Sequence, residues 1–224
     1  MKLYVNEFCI GLHSVCNWNC PYCIARDPSG TYDEDEILNE IKPIKYKLKD
    51  VYLSGGEPGL LSTYFWDELF NMTEYKLAIC TNGTFIKKGY HIKYESKIRS
   101  IMIHCVKELN YDIDDEILKV INNKTRYSVE PVIVIHNKNS HLLEEFLEKY
   151  HQLNFSLFFT DTTFSPFHHN NKYDYPIQKE SCMEIIKILG KYNKYSRYTT
   201  PLTKSIIKND YRYLNKWSQM NRGL

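Results

Sequence analysis

No stretch of this chain approaches the roughly 18 to 20 consecutive apolar residues that a membrane-spanning helix needs. Glu7 interrupts the one apolar stretch near the N-terminus before it reaches the length of a signal-peptide hydrophobic region, so a cytoplasmic protein with no membrane partner is expected. Low-complexity linkers and internal repeats are absent. An excess of one charge is lacking too: 29 Lys and Arg face 27 Asp and Glu, a formal +2 that offers no global case for nucleic-acid binding. What remains is ordinary for a globular protein. With 43% hydrophobic and 25% charged residues over 224 positions, the chain can bury a sizeable core, and collagen-like, disordered and coiled-coil readings lose their ground.

Seven cysteines are present, an odd number, and with no export signal they argue against a disulfide framework and for reduced thiols or metal ligands. Cys16, Cys20 and Cys23 fall within eight residues, whereas Cys9, Cys80, Cys105 and Cys182 stand alone. The triplet follows a C-x3-C-x2-C spacing. Three thiolates on one short loop can reach a common point, which suits a thiophilic metal centre. Three ligands leave a position open, unlike a structural zinc site closed by four. A zinc site completed by His13 or by a distant cysteine is the alternative reading of the same residues.

Apolar runs of strand length alternate with segments of helical period. Strands are expected at Phe8–Leu12, Val51–Leu53, Tyr75–Cys80, Ser100–Val106, Ser128–Ile135 and Phe155–Phe159. Helices are expected at Asp33–Lys47, Ser62–Met72, Asp114–Asn122, His141–Tyr150, Glu180–Tyr192 and Lys204–Trp217. Such alternation implies βαβ units and a parallel sheet. Polar or glycine-rich segments punctuate the ends of the strands, where α/β folds bind ligands. Ser54-Gly55-Gly56-Glu57-Pro58 closes the second strand and Thr81-Asn82-Gly83-Thr84 the third.

Triplet, Gly-Gly-Glu-Pro and Thr-Asn-Gly, in that order and each at a strand's end, resemble the radical SAM superfamily. The resemblance covers about the first 160 residues. It implies an α/β fold, a partial (βα)6 TIM-like barrel over residues 1–160 with a basic, helical extension over 161–224. It also implies a 4Fe-4S cluster held by Cys16, Cys20 and Cys23, and S-adenosylmethionine chelating the fourth iron. Tyr22 would lie near the adenine; Gly55, Gly56 and Glu57 would receive the methionyl amino group; Thr81 and Asn82 would border the pocket; Lys107 would meet the SAM carboxylate. His104 and Cys105 alternate across the strand, so one of them should face the pocket.

The activity implied is reductive cleavage of SAM to a 5′-deoxyadenosyl radical that takes hydrogen from a peptide, protein or small molecule, with an electron from a flavodoxin- or ferredoxin-type donor. The lack of a second cysteine cluster argues against members with auxiliary clusters. Glycyl-radical-enzyme activases and 7-carboxy-7-deazaguanine synthases are compact candidates. Ile24 and Ala25 depart from the latter's usual Asp and Thr or Ser. From Lys187 to Leu224, nine Lys or Arg face one acidic residue, Asp210, leaving 20 basic and 26 acidic residues before it. A body near −6 thus carries a tail near +8. That tail is either a Lys-rich helix packed through Ile206, Ile207, Tyr211, Leu214 and Trp217, or a nucleic-acid-binding surface; with the latter, the alternative function is a non-catalytic metal-cluster module.

Overall fold

The computed structural model describes residues 3–5, 9–18, 20, 23, 30–105, 113–159, 177–193 and 198–208. Tyr22, Lys107, Tyr211, Leu214 and Trp217 lie outside the described residues. The described residues fall into two compact units, one running to Pro131 and the other from Val132 onward.

In the first unit, β1 (Tyr4–Val5) pairs antiparallel with β2 (Cys9–Gly11). β3 (Tyr52–Ser54), β4 (Leu77–Thr81) and β5 (Ile98–His104) then add in parallel, one after another. The first half of β6 (Ser128–Ile135) continues that order. Between the strands lie α1 (Glu34–Ile41), α2 (Thr63–Asn71), the short α3 (Thr84–Lys87) and α4 (Tyr90–Lys93), and α5 (Asp115–Asn122). Helix starts follow the chemistry of the chain. Asp33 caps α1 by accepting from the backbone N–H groups of Asp35 and Glu36, Ser62 caps α2 through Phe65, and Asp114 caps α5 through Glu116.

The expected helix over Asp33–Lys47 is shorter than its pattern. It is α-helical only to Ile41 and continues as a 3-10 helix over Lys42–Lys49. Pro43 is the reason: it has no N–H for the α ladder and its ring crowds the preceding turn. The fully buried core of this unit joins Ile10, Leu53, Ile79 and Ile101 with an aromatic cluster in which Trp66 meets Phe65, Phe70 and Phe85.

In the second unit, the last half of β6 pairs in parallel with β7 (Ser156–Phe159) through Val132↔Ser156 to Ile135↔Phe159. α6 (Leu143–Tyr150) lies between them, and α7 (Lys179–Gly190) and α8 (Thr199–Lys208) follow. The hydroxyl of Tyr198 accepts from Leu157 N at 3.0 Å, and Ser140 Oγ donates to Glu184 at 2.6 Å. α8 begins at Thr199 rather than at Lys204; among its described side chains Leu202 is buried and Ile207 is 78% exposed. No helix among the described residues is long and apolar enough to cross a membrane.

Candidate active site at the strand ends

The loop after β2 is joined by backbone hydrogen bonds to the loop after β3. Leu12 N donates to Ser54 O at 2.8 Å, Gly56 N to His13 O at 2.5 Å and Glu57 N to Val15 O at 2.8 Å. Gly55 sits at φ +118°, where an L side chain is strained, and a Cβ there would lie 2.5 Å from the His13 carbonyl oxygen. A Cβ at Gly56 would overlap the Val15 carbonyl. The close approach that these glycines permit is therefore, first of all, to the strand end that leads into Cys16.

Glu57 is buried at 1% exposure, and its carboxylate is held from three sides. Oε1 accepts from Gly59 N at 2.7 Å and Thr81 Oγ1 at 2.6 Å; Oε2 accepts from Asn82 N at 2.7 Å. Burial pushes its pKa up, and these donors oppose that by favouring the charged form. Thr81 Oγ1 also accepts from Gly83 N at 3.0 Å, so one hydroxyl links the carboxylate to the turn ending β4. Gly83 itself has φ +98° and starts α3.

Asn82 carries the connection to the cysteines. Its Nδ2 donates to Asn17 Oδ1 at 2.8 Å and contacts Cys16 Sγ at 3.6 Å, while its Oδ1 accepts from Thr84 N at 3.1 Å and Thr84 Oγ1 at 2.7 Å. Asn17 Nδ2 donates to Thr84 Oγ1 at 3.0 Å, closing the ring. Trp18 N donates to Cys16 Sγ at 3.3 Å. The Cys16 thiol is raised in pKa, chiefly by burial; the Trp18 N–H pulls it down, Glu57 and Cys23 push it up, and Asn82 opposes them. Cys23 N donates to Cys20 O at 3.1 Å.

None of the three cysteines forms a disulfide and all are part-exposed, yet among the described residues no three His, Cys, Asp or Glu side chains are gathered to hold a metal ion. His13 closes no zinc site with them. It is buried, stacks on Tyr32 with ring centroids 4.5 Å apart, and is held neutral with its pKa lowered to about 4 by burial. The donor set fits an iron–sulfur cluster nonetheless: three thiols on one loop, with the Trp18 backbone N–H and the Asn82 amide already aimed at Cys16 Sγ. Asn17 and Thr84 are supporting residues that motif spacing alone did not single out. Their signal was position, next to Cys16 and closing Thr-Asn-Gly-Thr.

Below these loops, strand register puts Cys9, Tyr52, Ser54, Cys80, Met102 and His104 on one face of the sheet. All six are part-exposed, while Ile10, Leu53, Ile79, Ile101 and Ile103 on the other face are fully buried. Of the alternating pair, His104 lies on the part-exposed face, and Cys105 is buried with its thiol donating to Ile103 O at 3.1 Å. Tyr52 reaches across to Glu130 Oε2 of β6 at 3.4 Å. Burial pushes the Cys80 thiol up to about 12, with Glu57, Cys9 and Glu130 near enough to add to the shift and Ser54 hydrogen-bonded against it. Burial likewise lowers His104 to about 4, so both groups are neutral near pH 7.

An α/β chain with parallel strands, a cysteine triplet after the first of them and Gly-Gly-Glu-Pro and Thr-Asn-Gly at the next two ends defines a class, and the sequence comparison agrees. The chain belongs to the radical SAM superfamily, whose family model matches residues 11–137. Members of this superfamily use a 4Fe-4S cluster and S-adenosylmethionine and need an electron donor. No curated protein sequence matches the chain. Among solved structures, the chain is similar to native anSMEcpe with bound AdoMet, at 17% identity and TM-score 0.61, covering 91% of this chain and 61% of that one. It is similar also to native anSMEcpe with bound AdoMet and Kp18Cys peptide, at 18% identity and TM-score 0.63, covering 91% of this chain and 66% of that one. At these identities the likeness is one of fold.

Proposed function

We propose that the chain is a radical SAM enzyme in which Cys16, Cys20 and Cys23 hold the cluster and the ends of β3 and β4 bind S-adenosylmethionine. The observation that supports it best is the hydrogen-bonded chain from Glu57 through Asn82 to Cys16, which ties the three motifs into one site. When bound, cluster and SAM supply a 5′-deoxyadenosyl radical able to take hydrogen from a substrate. The protein's own residues do the rest. Gly55 and Gly56 keep the loop after β3 against the cysteine loop and offer backbone to the methionyl amino group. Glu57 adds a carboxylate there, three of whose roughly four acceptor positions are filled.

Thr81 and Asn82 border the pocket, the first by orienting Glu57 and the second by donating toward Cys16. Tyr22 at the adenine and Lys107 at the SAM carboxylate complete the set in this reading, with residues 1–160 as the catalytic core and 161–224 as a basic extension. The substrate is a peptide, protein or small molecule, and the electron comes from a flavodoxin- or ferredoxin-type protein. Anaerobic reconstitution with iron and sulfide tests the assignment. About four irons and four sulfides per chain are expected, with 5′-deoxyadenosine released on adding SAM and dithionite. A colourless zinc protein that releases none overturns it.

A further inference from the structure

Asn17, Asn82 and Thr84 form a closed ring in which each side chain gives one hydrogen bond and takes one. Asn82 Nδ2 donates to Asn17 Oδ1 at 2.8 Å, Asn17 Nδ2 to Thr84 Oγ1 at 3.0 Å, and the Thr84 hydroxyl to Asn82 Oδ1 at 2.7 Å. Taken alone, the ring could run the other way round: with both amides turned over and the hydroxyl rotated, as many groups would be satisfied. One further group decides between the two directions. The backbone N–H of Thr84 lies 3.1 Å from Asn82 Oδ1 and can only donate, so the oxygen of Asn82 must stay on that side.

The direction of the ring sets what Cys16 meets. With its oxygen turned to Thr84, Asn82 has one N–H beyond the bond to Asn17, and its Nδ2 stands 3.6 Å from Cys16 Sγ, beside the Trp18 N–H at 3.3 Å. As a thiol Cys16 can donate to Asn17 Oδ1 at 4.0 Å, a bond that ligation of a metal removes. In the reverse direction a carbonyl oxygen of Asn82 would face the sulfur. N–H groups at a cysteinyl sulfur favour the more negative, reduced state of a cluster and raise its potential, whereas a lone pair there disfavours it. Resting on the enzyme reading above, in which Cys16 holds the cluster, we propose that Thr84 and Asn17 are positioning residues: they lock the Asn82 amide with its N–H toward Cys16 and so hold the cluster's reduction potential up.

The test is a redox titration of the reconstituted chain without SAM, followed by the electron paramagnetic resonance of the reduced cluster. Thr84→Val and Asn17→Leu should each lower the reduced-to-oxidised ratio at a fixed potential by about threefold or more, roughly 28 mV at about 59 mV per tenfold. Thr84→Ser, which keeps the hydroxyl, should match wild type. Adding Thr84→Val to Asn82→Leu should move the potential no further, because Thr84 acts through Asn82. Potentials unmoved by Thr84→Val and Asn17→Leu, a Thr84→Ser value as low as that of Thr84→Val, or a full second shift on the Asn82→Leu background overturns the proposal. The two substitutions open the ring at separate points, so either decides alone if the other takes up no iron. A wild-type chain that takes up no cluster overturns the enzyme reading and this proposal with it, whereas a loaded cluster whose potential ignores Thr84 and Asn17 overturns the proposal alone.

Discussion

The side-chain amide of Asn82 points at the thiol of Cys16 across 3.6 Å, although 66 residues separate them in the chain. Donation of an N–H to sulfur favours the thiolate, and outer-shell donors of this kind commonly contribute 10- to 100-fold to metal affinity or activity. Asn82→Ala should therefore lower the rate of 5′-deoxyadenosine release by about tenfold or more, with iron retention reduced. Thr84→Val, which removes one hydroxyl partner of Asn82, should cost less. Unchanged iron content and rate in Asn82→Ala would show that the contact is incidental.

Glycine substitutions should separate close approach from backbone freedom. Gly56→Ala drives a methyl into the Val15 carbonyl and should destabilise the fold by about 2 kcal/mol or more, roughly 4 to 8 °C in Tm. Gly89 has φ +72° but open space around it, so Gly89→Ala should cost only the left-handed strain of about 1 to 2 kcal/mol. Gly190, at the end of α7 and with nothing within 4 Å, should accept Ala at no cost. Thermal melts of the three variants check this ranking.

Glu57→Gln keeps the shape of the side chain but turns an acceptor into a donor facing Gly59 N, Thr81 Oγ1 or Asn82 N. At least one buried donor then loses its partner, at about 1 to 3 kcal/mol. Urea unfolding should show that loss, and Thr81→Val a smaller one. Equal stability of Glu57→Gln and wild type would mean that the carboxylate is not the clamp between the ends of β3 and β4.

Acid should weaken the fold in a defined window. Burial holds His13, His104 and His136 at about 4 in place of 6.5. Between those values the unfolded chain binds more protons than the folded one, so the stability these neutral imidazoles contribute is present above pH 6.5 and lost as pH falls toward 4. Glu57, raised by burial, acts in the opposite sense and offsets part of the slope. Chemical unfolding at successive pH values should show a decline through this window, shallower in His104→Asn. A flat profile in wild type would contradict the burial of these rings.

Local pattern carried much of the fold. Apolar runs of strand length located the parallel strands, and the helices expected from Asp33, Ser62 and Asp114 do start there, each capped by that side chain. Where the reading fell short, the cause was local as well. β1 is two residues long, too short to show alternation, and α3 and α4 are single turns that each begin after a positive-φ glycine, Gly83 and Gly89. The site divides differently. Cysteine spacing and the two glycine motifs were visible at once, but the hydrogen bonds that join Asn17, Asn82 and Thr84 were not.

The sequence by itself determined which residues could carry the chemistry: three thiols spaced along one loop, glycines where backbones must touch, polar groups at strand ends. Only the tertiary structure decided how they are used. It turned Glu57 inward to clamp Thr81 and Asn82, set Asn82 against Cys16, and brought Tyr52 to Glu130 across 78 residues of chain. The physical reason is register. Strands joined by helical crossovers meet through backbone pairing that no short stretch of sequence encodes, and a slip of one residue would have sent Tyr52, Thr81 and Glu130 to the opposite face.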